Sequence, residues 1–141
     1  MSDGMKLHYT VNGDDFTRAG ETSSKVKKTL SQLGFNPEVI RKVAIAMYEG
    51  EINMVIHANG GDVDVDISPE KIVVVMSDVG PGIPDVEMAM TEGFSTADCS
   101  VRELGFGAGM GLPNMKKYSD FMNIETEIGK GTTVTLEFVA Q

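Results

Sequence analysis

The stretch NPEVIRKVAIAMYEGEINMVIHANGG, residues 36–61, carries both ends of a helix and the face that it buries. Asn36 before Pro37 is a capping residue followed by proline at the first helical position, where a missing N–H costs nothing. Apolar residues Ile40, Val43, Ala44, Met47, Met54, Val55 and Ala58 recur at helical spacing, and Asn59-Gly60-Gly61 ends the run. The spacing predicts a helix from Pro37 to about Ala58 whose stripe faces a core. On another flank Ile45, Glu49, Asn53 and His57 are spaced by four and stack along one line. Gly50 costs about 1 kcal/mol relative to alanine inside a helix, so its presence marks close packing.

Working outward, Lys6 to Val11 alternate as a half-buried strand, and Asn12-Gly13-Asp14 turn the chain. Phe16, Ala19, Val26, Leu30 and Leu33 predict a first helix from Asp15 to about Leu33, stopped by Gly34. Beyond the long helix, Val63, Val65 and Ile67 alternate with aspartates, and Ile72 to Ser77 is an apolar run; together they predict a hairpin. A Gly/Pro-rich segment, Asp78 to Pro84, precedes a short helical pattern near Asp85 to Met90 and a loop of small residues from Gly93 to Gly111. A helix from Leu112 to about Tyr118 follows, then strands Phe121 to Ile128 and Thr132 to Val139 joined by Gly129-Lys130-Gly131. This order predicts an α+β fold: a two-layer sandwich of one mixed, mostly antiparallel sheet with helices on one face.

The chain has 141 residues, which reads as one domain, and its hydrophobic (41%) and charged (23%) fractions exclude disordered, collagenous and membrane classes. Twelve Lys and Arg against 21 Asp and Glu give a net charge of -9, which argues against nucleic acid as a partner. A small phosphate ligand remains compatible, because backbone N–H groups and a bound cation can hold it. Cys99 is the only cysteine, so the expected compartment is a reducing cytoplasm, and no run approaches the roughly 20 apolar residues that span a bilayer.

Four constellations carry chemistry. Glu49 and Asn53 combine a carboxylate able to deprotonate a hydroxyl with an amide oxygen suited to Mg²⁺, although such pairs also occur on solvated helix faces. Asp78-Val79-Gly80-Pro81-Gly82-Ile83-Pro84-Asp85 follows an apolar strand. It reads either as an ordinary turn or as an acid that accepts from an exocyclic amine beside glycines that admit a flat ring. Gly105-Phe106-Gly107-Ala108-Gly109-Met110-Gly111-Leu112 leads into a helix and can wrap phosphates with backbone N–H groups; it matches neither G-x-x-x-x-G-K-[ST] nor a dinucleotide fingerprint. Gly129-Lys130-Gly131-Thr132-Thr133 alone is a turn with β-favouring threonines.

In conjunction and in this order, the four motifs closely resemble the ATPase superfamily of gyrase, heat-shock chaperones, histidine kinases and mismatch-repair proteins, over about Leu7 to Val139. Within it the chain is most similar to the bacterial anti-sigma-factor serine/threonine kinases that act as stress-response switch kinases. Leu33-Gly34-Phe35, Ala89-Met90, Glu92-Gly93-Phe94-Ser95-Thr96 and Gly109 to Pro113 contribute to that likeness. The resemblance implies a single ATP-binding kinase domain over residues 1–141 that uses ATP and Mg²⁺ to phosphorylate a serine of a small anti-sigma-antagonist-type protein. Glu49 would be the general base, Asn53 the Mg²⁺ ligand and Asp78 the reader of the adenine amino group. Gly82 would pack near the ring, Thr132 would complete the adenine hydrogen bonds, the loop with Gly105, Gly107, Gly109, Met110 and Gly111 would surround the phosphates, and Gly80, Ile83 and Leu112 would be further cofactor-binding residues. A sigma factor or a phosphatase is a further implied partner, and a homodimer is compatible. The alternative from the same resemblance is an anti-sigma factor or nucleotide-gated adaptor that sequesters a sigma factor with little phosphotransfer. The catalytic part of a histidine kinase fits less well, because His8 lies on a predicted strand. The sequence departs from the switch kinases in a longer lid, Ala97 to Leu104, whose Arg102 either reaches the γ-phosphate or points to water.

Other residues keep plainer readings. Asp62, Asp64 and Asp66 have the spacing of an exposed strand face, His57 of a hydrogen-bonded helix end, and the ten methionines of adaptable core filler.

Overall fold

The computed structural model describes residues 5–12, 20–57, 60–78, 111–127 and 129–140. Among the described residues five strands and three helices follow one another as β1 (Met5–Asn12), α1 (Glu21–Gln32), α2 (Pro37–His57), β2 (Gly60–Ile67), β3 (Lys71–Asp78), α3 (Gly111–Tyr118), β4 (Phe121–Glu127) and β5 (Gly131–Val139). The predicted short helix near Asp85 to Met90 and the small-residue loop up to Met110 lie outside the described residues. No helix among the described residues is long and apolar enough to cross a membrane.

Helix α2 opens as its sequence requires. The Asn36 Oδ1 accepts from the Glu38 N–H at 2.9 Å, while the Asn36 carbonyl takes the first helical bond, from Ile40, at 3.1 Å. Helix α1 differs from expectation at its start. Gly20 has φ 95°, a left-handed conformation that no right-handed helix contains, so α1 begins at Glu21; the expected earlier turn from Asp15 to Ala19 lies outside the described residues. Its end is the predicted one: the Phe35 N–H donates to the Leu30 carbonyl (3.2 Å) and the Gly34 N–H to the Ser31 carbonyl (3.1 Å), with Gly34 at φ 84°.

The sheet order is β1-β2-β3-β5-β4, and every pairing among the described strands is antiparallel. Register places one apolar row after another on the helix-facing side. Val65 stands between Leu7 and Val74, and Val74 opposite Leu136, which pairs with Met122. Helix residues Val26, Leu30, Val43, Met47 and Met115 close the core over these rows. The expected two-layer α+β architecture follows: the alternation that buries one sheet face leaves the other to water.

Gly50 is buried, and a Cβ placed there would fall on the Met76 thioether and within 2.9 Å of the Met115 methyl. The absent side chain therefore lets α2 approach β3 and α3 closely. On the wet face His8 lies opposite Asp64 in the β1–β2 ladder, with Nδ1 2.7 Å from the Asp64 Oδ1 and Nε2 3.4 Å from the Asp62 Oδ1. These aspartates keep the solvated face expected of them, and no three of the described His, Cys, Asp or Glu residues form a metal-holding group.

Charge separates between the layers. Among the described residues the helices carry Lys25, Lys27, Lys28, Arg41, Lys42, Lys116 and Lys117 against Glu21, Glu38, Glu49 and Glu51. The strands and their turns carry Lys6, Lys71 and Lys130 against nine Asp and Glu residues, three of them in β2. In a chain of net charge -9, the helix layer is the locally basic side.

Two outcomes are expected. Gly50→Ala gains about 1 kcal/mol of helix propensity but overpacks the methionines by roughly twice that, for a net loss of about 1 kcal/mol in urea unfolding. Met76→Val, costly alone, should then cost less in the Gly50→Ala background, a coupling read from the double-mutant cycle. The hydrogen bond to Asp64, reinforced by the charges of Asp64 and Asp62, raises the His8 pKa above 6.5. Its contribution to stability is complete below the unfolded value of 6.5 and fades as pH rises through the folded one. An NMR titration should place the His8 midpoint above 6.5 and Asp64→Asn should move it back down; an ordinary wild-type midpoint refutes the pair.

Candidate functional site

One row of residues crosses the sheet at its end. Val11 pairs with Gly61, Gly61 with Asp78, and on the neighbouring strands Thr132 pairs with Thr126. Asp78 follows the inward-facing Met76 by two, and Thr132 precedes the inward-facing Val134 by two, so both belong to the helix-facing side. The Thr132 N–H donates to the Asp78 Oδ1 at 3.1 Å, which fixes the carboxylate at the end of β3. The hydroxyls of Thr132 and Thr126 lie 2.9 Å apart, and the Thr126 Oγ1 donates to the Gly131 carbonyl at 3.3 Å. Two of the residues expected to act on one ring, Asp78 and Thr132, are thus brought into direct contact. Thr126 is an addition that pairing arithmetic across the Gly129-Lys130-Gly131 turn could have found.

Gly61 also shapes this end. A Cβ there would fall on the Ser77 carbonyl of β3, 2.9 Å from the Asp78 Cα and 2.8 Å from the Met54 methyl, so the β3 backbone itself leaves no room for a side chain. From α2 the Met54 methyl reaches the Gly61 position of this row.

Glu49 is half-buried on α2, and its Oε1 accepts from the Asn114 Nδ2 of α3 at 3.4 Å. Asn53 follows one helical turn later on the same line of α2. Gly111 and Leu112 form the first turn of α3, where backbone N–H groups lack intrahelical acceptors. Lys116 and Lys117 in its last turn complement the opposite end of the dipole. Gly80, Gly82, Ile83, Gly105, Gly107, Gly109 and Met110 lie outside the described residues, as do Cys99 and Arg102.

The sequence reading missed Asn114 and Glu51. Glu51 is 2% exposed, and its two oxygens accept from the Thr22 N–H at 3.1 Å and the Ser23 N–H at 3.0 Å. Helix α1 has no capping side chain of its own at Gly20, so a carboxylate from α2 satisfies its first-turn donors. The available signal was a second glutamate two positions from Glu49, hence on a different helix face.

Comparison with known proteins places the chain in a family. Residues 39–141 match the family described as histidine kinase-, DNA gyrase B-, and HSP90-like ATPase. The serine/threonine-protein kinase RsbT of Bacillus subtilis is 28% identical over 124 residues, 85% of each chain. The anti-sigma F factor of Geobacillus stearothermophilus is 27% identical over 143 residues, 97% of this chain and 92% of its own. The solved structure of the RsbU and RsbW domains of a Mycobacterium tuberculosis protein superposes with a TM-score of 0.66 at 17% identity, covering 96% of this chain and 32% of that one, and shares the fold. A chain matched from α2 to its last strand, with an acid at the end of β3 and a Glu-x-x-x-Asn line on α2, belongs to the histidine kinase-, DNA gyrase B- and HSP90-like ATPase family.

Proposed function

We propose that this protein is an ATP- and Mg²⁺-dependent serine/threonine kinase of a partner-switching module, acting on a small anti-sigma-antagonist-type protein. The observation that carries the reading is Glu49: a half-buried carboxylate set where α2 meets α3 and steadied by Asn114. A module that only binds nucleotide needs no carboxylate at that seam, whereas transfer to a serine needs an acceptor for its proton.

Each residue has a defined task. Asp78, held by the Thr132 N–H, accepts from the adenine amino group, and the missing Cβ of Gly61 keeps the floor beside it low. The first turn of α3 at Gly111 and Leu112 offers donors to phosphate oxygens. The family likeness adds Gly80, Gly82 and Ile83, and Gly105, Gly107, Gly109 and Met110, to the proposed nucleotide-binding residues. Asn53 offers Mg²⁺ the hard oxygen that it prefers, and the cation supplies charge neutralisation at the phosphates. Glu49 takes the proton of the acceptor serine as its Oγ forms the bond to the γ-phosphorus and the bond to the ADP oxygen breaks. Most of the rate enhancement in such a transfer comes from positioning and electrostatics.

A second reading, sequestration of a sigma factor with little transfer, is favoured by the likeness to the anti-sigma F factor. The two separate in a pull-down from the native cell extract on immobilised protein, with and without Mg·ATP, read by mass spectrometry for bound proteins and new phosphoserines. A small protein phosphorylated on serine supports the kinase; a retained sigma factor without new phosphoserine supports sequestration.

Asp78→Asn keeps an acceptor for the Thr132 N–H but loses the charged bond to the amine. ATP affinity should fall by about 1.5–3 kcal/mol in calorimetric titration, and unchanged affinity refutes the nucleotide assignment. Glu49→Gln keeps an acceptor for Asn114 and removes the base. Phosphorylation of the captured acceptor should slow by about 10²–10⁴-fold, and a wild-type rate removes Glu49 from the role.

A further inference from the structure

Helix α3 is pinned to α2 at two points. The Met115 methyl would lie 2.9 Å from a Cβ on Gly50, and Met115 is 1% exposed. Nearly one turn further along α3, the Arg41 guanidinium of α2 stands over the Tyr118 ring, 5.7 Å from its centre. Glu49 and Asn114 each directly precede a member of the first contact, and they are held side by side: the Asn114 Nδ2 donates to the Glu49 Oε1 at 3.4 Å.

That hydrogen bond has three properties that matter to a base. It engages one carboxylate oxygen alone, since among the described residues no second hydrogen bond and no ion pair reaches Glu49, and Oε2 keeps its lone pairs. Its donor is a neutral amide, which orients the carboxylate without stabilising the anion as strongly as a lysine or arginine would. Its length lies beyond the usual range of an N–H···O bond, which leaves room for it to shorten.

Asn114 also belongs to the first turn of α3, Gly111 to Asn114. Backbone N–H groups in a first turn have no intrahelical acceptors, and Pro113 contributes none. The donors proposed for phosphate and the donor to the base therefore sit on one turn, and a displacement of that turn towards a phosphate carries the Asn114 amide with it.

We propose that Asn114 is the positioning residue of Glu49 and makes the base answer to the nucleotide. Its amide fixes Oε1 so that Oε2 takes the serine proton, and phosphate bound at the first turn of α3 shortens the Asn114–Glu49 hydrogen bond. The proton leaves the serine O–H for Oε2 as the serine Oγ bonds to the γ-phosphorus and the bond to the ADP oxygen breaks. The inference rests on the kinase reading of Glu49 and adds to it how the base is held and when it is aligned.

The test is NMR of the isotope-labelled full chain, alone, with Mg·ADP and with Mg²⁺ and a non-hydrolysable ATP analogue. It follows the Asn114 side-chain amide and the Glu49 carboxyl carbon. The ATP analogue should move both signals further than ADP does, and in Asn114→Ala the Glu49 carboxyl should lose that response. A second measurement titrates the Glu49 carboxyl with pH in the nucleotide-free chain. Glu49 faces Asn114 of α3 and shares a groove with Lys27 of α1, which every variant retains. In Asn114→Asp a second carboxylate replaces the donor, so the Glu49 midpoint should rise by about one pH unit relative to wild type. Thermal midpoints establish that the variants are folded, and the wild-type nucleotide response decides the coupling without them. Glu49 and Asn114 signals that ignore the ATP analogue while the Gly111 and Leu112 amides respond overturn the inference alone. So does a Glu49 midpoint that Asn114→Asp leaves in place, the result of a mere packing role. If no amide responds to either nucleotide, the nucleotide reading falls and the inference with it.

Discussion

The close approach of α2 to the sheet at Gly50 is the constraint on which the other arrangements rest. Without a side chain at that point the helix leaves room for the ends of Met76 and Met115, both buried, which would have to shift to admit even an alanine. Helical residues advance by about 100° each, so the neighbours of Gly50 face elsewhere. Glu49 meets α3 through Asn114, and Glu51 meets the start of α1 through Thr22 and Ser23. Three consecutive residues therefore set one helix against the sheet and both flanking helices.

The contact through Glu51 makes α1 dependent on α2. A buried carboxylate is costly unless it is hydrogen-bonded, and first-turn N–H groups are costly unless they find acceptors. Each solves the other's problem, and charged hydrogen bonds of this kind contribute about 1.5–3 kcal/mol apiece. The same pairing explains why Gly20 can begin α1 with no capping side chain: the acceptor comes from 28 and 29 residues away.

Strand alternation made β1 and β2 legible in the sequence, because one wet face and one dry face impose a period of two, while β3 showed as an apolar run and β4 and β5 as the strands on either side of the Gly129-Lys130-Gly131 turn. Both ends of α2 were legible for local reasons, Asn36-Pro37 at one and the glycines at the other, as was Gly34 at the end of α1. The start of α1 was not, since the apolar spacing of Phe16 and Ala19 continues the helical pattern through Gly20, whose left-handed backbone sequence alone does not reveal. At the site, the motif order selected Asp78, Thr132 and Glu49, and the structure brings Asp78 and Thr132 into hydrogen-bond contact. Asn114 and Glu51 stayed hidden because each acquires its meaning only from a partner on another helix. His8 was read as a strand residue in the wrong context for catalysis, and its pairing with Asp64 is a matter of register rather than of motif.

Register also explains why a hairpin turn belongs to the site. The Gly129-Lys130-Gly131 turn sets Glu127 opposite Gly131, and with it Thr126 opposite Thr132. Gly129 at φ 81° and Gly131 at φ 132° accept backbone conformations that most residues resist, and the Lys130 N–H closes onto the Glu127 carbonyl at 3.0 Å. A slip of one residue along β5 would turn Thr132 to the wet face, along with the buried Val134, Leu136 and Phe138. The core therefore opposes such a slip with most of a strand's hydrophobic area, and the burial of Val134, Leu136 and Phe138 holds Thr132 on the side of Asp78. The requirement for two glycines around Lys130 is in this sense a requirement of the Asp78 carboxylate, transmitted through the register of a single strand.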